Sequence, residues 1–185
     1  MTNFEKAIAQ VKNKQLRLAI KSFTLCIENN EKVLESYLHR SSCYFQLKEF
    51  ENVVEDLTKA IDFDPTWEEY YYNRAAAYVN LTQYQNALDD YNIAVTLNPQ
   101  YKNAHYNKGS VHMKLDQHEK AVESFLEAGA LGHEDALIVL KHYLKRGVEI
   151  NENSSKEEPE IITQKMAKEF LRTLKLKKNK NTDKN

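Results

Sequence analysis

Apolar residues recur along most of this chain at steps of three and four. From Trp67 to Leu81 the stripe is Tyr71, Ala75, Tyr78 and Leu81, an i, i+4, i+7 pattern that predicts a helix. From Tyr84 to Leu97 it is Tyr84, Ala87, Leu88, Tyr91, Ala94 and Val95, again with helical spacing. The short polar link Thr82-Gln83 separates the two stripes. Pro65 and Pro99 follow Asp64 and Asn98, where a second helix must stop and a new unit begin. The predicted building block is a helical hairpin.

This block recurs at a constant interval, the step from Pro65 to Pro99. Ala19, Val53, Ala87 and Ala121 share one column, Phe23, Leu57, Tyr91 and Phe125 a second, and Cys26, Ala60, Ala94 and Ala128 a third. Ala7, Ser41, Ala75 and Gly109 form a fourth, while Leu47, Leu81 and Leu115 align on the same spacing. The small columns have a steric reason. Two helices cross closely only where Ala, Gly or Ser stands at the contact.

The segment Tyr70 to Pro99 closely resembles the tetratricopeptide repeat consensus in length, in its order of small, aromatic, Ala and Pro positions, and in its helix-turn-helix form. The copy from Leu34 to Trp67 is similar, and Lys102 to Asp135 matches in its small and aromatic columns. The first copy keeps Ala7, Ala19, Phe23 and Cys26 but has Glu31 in the proline column. Terminal repeats are expected to be atypical, because one face meets water. The fourth copy has His133 in that column, within a Gly-His-x-Asp-Ala turn similar to the junction of related short helical repeats.

The resemblance implies an all-α fold: a right-handed solenoid of four tetratricopeptide-like hairpins with a capping helix, Glu134 to Arg146, stopped by Gly147. The expected organisation is a solenoid with its cap over residues 1–146, an acidic linker over 147–159, a basic amphipathic helix over 160–178 and a disordered tail over 179–185.

Composition narrows the function classes. Of 185 residues only 4 are Gly and 3 Pro, too few to turn a many-stranded sandwich or barrel. The glycine motifs that cradle phosphates are absent from the sequence. The N-terminus does not read as a signal peptide, and no apolar run approaches a membrane span. Cys26 and Cys43 stand alone and read as reduced, buried small hydrophobes, giving a cytoplasmic expectation. His105 and His112 occupy the columns of Tyr71 and Tyr78, which makes them packing residues, and no metal-ligand spacing occurs. No nucleophile and base pair can be named, so neither enzyme chemistry nor a metal or other cofactor is expected.

In the resemblance, the first helix of each hairpin lines a concave face. Carried over by column, the groove comprises Phe4, Leu38, Tyr72 and Tyr106, then Val11, Phe45, Val79 and Met113, with His39, Asn73 and Asn107 beside them. An apolar and aromatic stripe edged with amides suits a peptide or an amphipathic helix. Leu38, Val11 and Val79 are equally readable as core. A protein or peptide partner, and an adaptor role, are therefore expected.

The clamp that some family members use on an acidic chaperone tail needs convergent cations and amides. One register supplies Leu38, Ser42, Asn73, Asn103 and Asn107, and the other Phe4, Ile8, His39, Glu69 and Asn73. Neither places a cation, so this partner is not expected. Arg40, Arg74 and Lys108 share a column and are read as lying along the hairpin edge, paired with acids such as Asp89 or Glu68. The rival reading is a cationic ladder for an acidic partner.

The net charge of −1 conceals an acidic stretch, Glu149 to Glu160, followed by a basic one. There Ile162, Met166, Phe170 and Leu174 follow i+4 steps beside Lys165, Lys168, Arg172 and Lys175. Such a helix fits an anionic membrane or RNA, a protein tether, or self-regulation by docking in the chain's own groove.

Overall fold

The computed structural model describes residues 1–147, with side chains described up to residue 142. The segments 148–159 and 179–185, and the basic residues Lys165, Lys168, Arg172 and Lys175, lie outside the described residues.

All described secondary structure is helical. The first hairpin is α1 (Asn3–Lys12) and α2 (Leu16–Glu28), the second α3 (Val33–Gln46) and α4 (Phe50–Phe63), and the third α5 (Glu68–Asn80) and α6 (Tyr84–Leu97). The fourth is α7 (Lys102–Lys114) and α8 (His118–Ala130), followed by the single helix α9 (Glu134–Gly147). The chain divides into two compact units, Met1–Asn98 and Pro99–Asn185. In the first, each of α1 to α6 packs on the next; in the second, α7 packs on α8 and α8 on α9.

The repeat columns are the cores of these units. Ala7, Ala19, Phe23, Cys43 and Ile20 bury together in the first, as do Val53, Leu57 and Ala77. In the second, Ala121, Val122, Phe125 and Ala128 meet Ala136 and Leu140 of the capping helix. Gly109 illustrates why the small column must stay small. A Cβ added there would stand 2.9 Å from two ring carbons of Phe125, which is 1% exposed and has nowhere to go. Gly129 plays the same part against Leu137, where an added Cβ would fall 2.5 Å from a methyl carbon.

The turn inside every hairpin is built the same way. Lys14, Lys48, Thr82 and Asp116, which share one column, all have φ between 52° and 60°. The residue after each donates its N–H to a carbonyl five positions back: Gln15 to Gln10, Glu49 to Tyr44, Gln83 to Tyr78, Gln117 to His112. This left-handed stop satisfies the last carbonyls of the first helix. Glycine usually supplies it, yet none of the four is glycine. Gly132 (φ 79°) does supply it at the junction between α8 and α9, with His133 donating to Ala128.

Where proline is missing, other devices close the turn. Glu31 sits between Asn30 and Lys32, whose φ values are 54° and 45°. Its Oε1 accepts the Phe4 N–H at 3.1 Å, which holds its carboxyl below the usual range and ties the end of α2 to the start of α1.

Two substitutions test these local constraints. Thr82 carries a β-branched side chain in a left-handed conformation, so Thr82→Gly is expected to raise stability by about 1 kcal/mol. Gly109→Ala is expected to lower it by about 1–3 kcal/mol through overpacking against Phe125. Urea unfolding of the full chain followed by circular dichroism measures both.

Candidate partner-binding cleft

The first unit holds a cleft of about 320 Å³ between α3, α4 and α5. Val53 and Leu57 of α4, 1% and 2% exposed, contribute to its apolar lining. Leu38, Ser41, Ser42, Phe45 and Gln46 line it from α3, and Glu69, Tyr70 and Asn73 from α5. Phe45 remains 39% exposed beside Ser42 and Asn73, which are also exposed.

A substitution in the repeat explains why the cleft lies here. The groove column that begins at Phe4 and the aromatic column that begins at Phe23 touch in the other copies. Phe4 meets Phe23 with ring centres 5.8 Å apart, Tyr72 meets Tyr91 at 5.8 Å, and Tyr106 meets Phe125 at 5.6 Å. In the second hairpin the corresponding pair is Leu38 and Leu57. Two leucines fill less of this space than two rings, and both leucines line the opening.

The expected groove residues therefore fall into different environments. Leu38, Phe45 and Asn73 come together at the cleft. His39 is exposed but stacks flat on Phe23, centres 5.5 Å apart, and this covering lowers its pKa, against a smaller opposing effect of Glu35. Tyr72 and Val79 are half-buried. Tyr106, Asn107 and Met113 belong to the second unit and are half-buried there. Tyr106 stacks on His133 with centres 4.2 Å apart, and Met113 packs against the core of that unit.

The cation column is not an edge feature, and its partners are not Asp89 or Glu68. Arg40 donates from Nε and Nη2 to Asp56 at 2.9 and 2.7 Å, and from Nη1 to Thr24 Oγ1 at 2.7 Å. Arg74 repeats this on Asp90, at 2.8 Å for both bonds, and on Thr58 at 2.9 Å. Asp89 instead accepts from Gln85, and Glu68 from Asn98. Each guanidinium bridges three helices, binding its own hairpin and the one before it.

Tyr37 and Tyr44 lie within 6 Å of Arg40, and Tyr71 within 6 Å of Arg74. The fork-on-carboxylate geometry is what compensates the burial of these charges. For Arg74 the hydrogen bonds to Asp90 outweigh desolvation and raise its pKa. The signal in the sequence was an equal step from Thr24 to Arg40 and from Arg40 to Asp56, repeated in Thr58, Arg74 and Asp90.

The outer copies replace the set together. Lys6 and Ser22 stand in the Arg and Asp columns of the first, and Lys108 and Ser124 in those of the fourth. Ser22 donates to Gln10, and Lys108 lies 3.7 Å from Glu127. His105 takes the part of Tyr71. Each ring reaches back six residues to a proline carbonyl, Tyr71 to Pro65 at 3.2 Å and His105 Nε2 to Pro99 at 3.0 Å. His105 Nδ1 also meets Glu127 at 2.8 Å, and His112 Nδ1 meets Gln117 at 2.8 Å. Among the described residues no cluster of His, Cys, Asp and Glu could hold a metal, and no helix is long and apolar enough to cross a membrane.

Hairpins of this length, with these columns and this left-handed internal turn, define a helical-repeat protein. Residues 68–101 match one tetratricopeptide repeat model, and 34–66 and 103–128 match another; the chain belongs to the tetratricopeptide repeat family. Such repeats generally mediate contacts between proteins, and the chain is a protein-interaction scaffold of this kind. It has the fold of MamA. One crystal structure of MamA aligns with a TM-score of 0.72 at 19% identity, covering 96% of each chain. A second gives 0.73 at 20%, covering 96% of this chain and 92% of that one. MamA from Desulfovibrio magneticus RS-1, from residue 41 to its end, gives 0.66 at 18%, covering 71% and 75%. At these identities the likeness concerns the fold alone. No curated protein gave a significant match to the chain.

The buried ion pairs yield a double-substitution test. Asp90→Leu strands the Arg74 guanidinium and is expected to cost about 3–5 kcal/mol, whereas Asp90→Leu combined with Arg74→Met restores most of that loss. Urea unfolding of the full chain reads both.

Proposed function

We propose that the chain is a non-enzymatic adaptor whose α3–α5 cleft receives an apolar side chain from a partner peptide or amphipathic helix. The observation that carries this reading is the opening at Leu38 and Leu57, where the other copies have paired rings. An apolar recess with a few polar groups at its edge is the usual form of a peptide-anchor site. Phe45 offers a ring to the anchor. Ser42, Gln46 and Asn73 offer donors and acceptors to a peptide backbone beside it. The polar side chains deeper in the unit are engaged with one another, as in Arg40–Asp56 and Arg74–Asp90, and this supports a binding role over a reaction.

Leu38→Tyr tests the proposal, because it rebuilds the side chain that the third and fourth copies already tolerate in this column. Peptides selected on the full chain from a random 12-residue library are expected to share one apolar anchor. They should bind at least about tenfold more weakly to Leu38→Tyr, while its circular dichroism and melting temperature stay close to the parent's. Equal affinity for a folded Leu38→Tyr would overturn the proposal.

A further inference from the structure

The chemistry of the partner follows from the charges around the same cleft, an inference that rests on the peptide-anchor reading above. Glu69 is the single charged residue lining the cleft. Glu35 is its equivalent in the preceding copy, in the first turn of α3 as Glu69 is in the first turn of α5. Both are exposed, and among the described residues neither takes part in an ion pair. Asp64 is close as well. Burial pushes up the pKa of Tyr70, a cleft-lining residue, and the charges of Asp64, Glu69 and Glu35 add to that shift.

The arginines of the two flanking helices are held elsewhere. Arg40 is the sole Lys or Arg on α3, and Arg74 the sole one on α5. Both are turned inward and bound to Asp56 and Asp90. On α4, Lys59 lies 3.7 Å from Asp62. Among the residues that line it, the cleft therefore presents an apolar recess with one carboxylate, Glu69, and no lysine or arginine.

We propose that the occupant of this cleft is a basic segment of a partner protein, in which an apolar anchor seated over Leu38, Phe45, Val53 and Leu57 is flanked by Lys or Arg facing Glu69 and Glu35. Complementary charge at a rim sets partner choice and encounter rate more than it sets total affinity, so the expected signature is selectivity. A lysine or arginine next to the anchor also places its methylene stem on the apolar wall while its charge stays in water.

The experiment is peptide selection on the full chain and on its Glu35→Lys/Glu69→Lys variant, using one random 12-residue library. Lys and Arg are expected to be enriched beside the apolar anchor on the parent chain, and Asp and Glu on the variant. A fluorescent copy of the best parent peptide should lose about tenfold in affinity on the variant, and should weaken as salt is raised. Peptides that depend on Leu38 but show no charge preference on either chain would overturn the basic-partner inference and leave the anchor reading standing. Peptides that bind folded Leu38→Tyr as well as the parent would overturn both.

Discussion

Everything in the two units depends on how closely the paired helices of a hairpin approach. At Gly109 that approach leaves no room for a methyl group beside the Phe125 ring. The same column holds Ala7, Ser41 and Ala75, all buried, and the column facing it holds the largest buried side chains, Phe23, Leu57, Tyr91 and Phe125. A small residue on one helix and a large one on the other is a single steric agreement made four times. The third column, Cys26, Ala60, Ala94 and Ala128, is fully buried as well. With the distance set in this way, the left-handed turn at the end of each first helix has a fixed gap to span. Lys, Thr and Asp accept an unfavourable backbone conformation there because the packing on either side leaves the chain no other route.

Hydrophobic contact alone would leave the order of hairpins in the first unit weakly specified, since one apolar face resembles the next. Arg40 and Arg74 add direction. Each reaches a threonine on the preceding helix and an aspartate on the following one, and the fork of the guanidinium accepts one arrangement of both. The cost of burying these charges is high, and the return is geometric specificity. The set is complete in the two inner copies and is exchanged as a group in the outer two. There Lys6 and Lys108 stand in the arginine column and Ser22 and Ser124 in the aspartate column, and Gln10, His105 and His112 replace tyrosines. Such concerted replacement is expected where side chains act through one another and a single change would strand a partner.

Much of this fold was legible in the chain, because each hairpin stripe has helical spacing and each column holds one size class over three or four copies. Reading function was harder. Leu38, Phe45 and Asn73 could be placed on one face by register, and they line one cleft. Leu57 could not, because a leucine in a buried stripe looks like any other core residue until the copies are compared in pairs. Tyr106 shares the groove column of Leu38, yet it lies between Phe125 and His133, and the stacking with His133 arises from a residue in the proline column. The arginines were recognised as a column but assigned to the wrong acids. Asp89 and Asp90 are neighbours on α6, and it is the buried one, Asp90, one period after Asp56, that meets Arg74. Glu68 stands in the first turn of Arg74's own helix.

The leucine pair at the cleft implies that recognition in this molecule is created by subtraction. The scaffold is the filled state, with ring against ring in three copies, and one copy has had its filling reduced. A site made by removal needs no new backbone, loop or charge, and its location can be counted along the sequence in whole repeats. Trimming Phe4 and Phe23 to leucine would open an equivalent recess one period earlier, within the same unit. A partner bearing two anchors at the matching distance would then be held at two points, with the second contact made at high local concentration. The number of sites is thus separable from the number of repeats, and the same architecture can be monovalent or multivalent according to which rings it keeps.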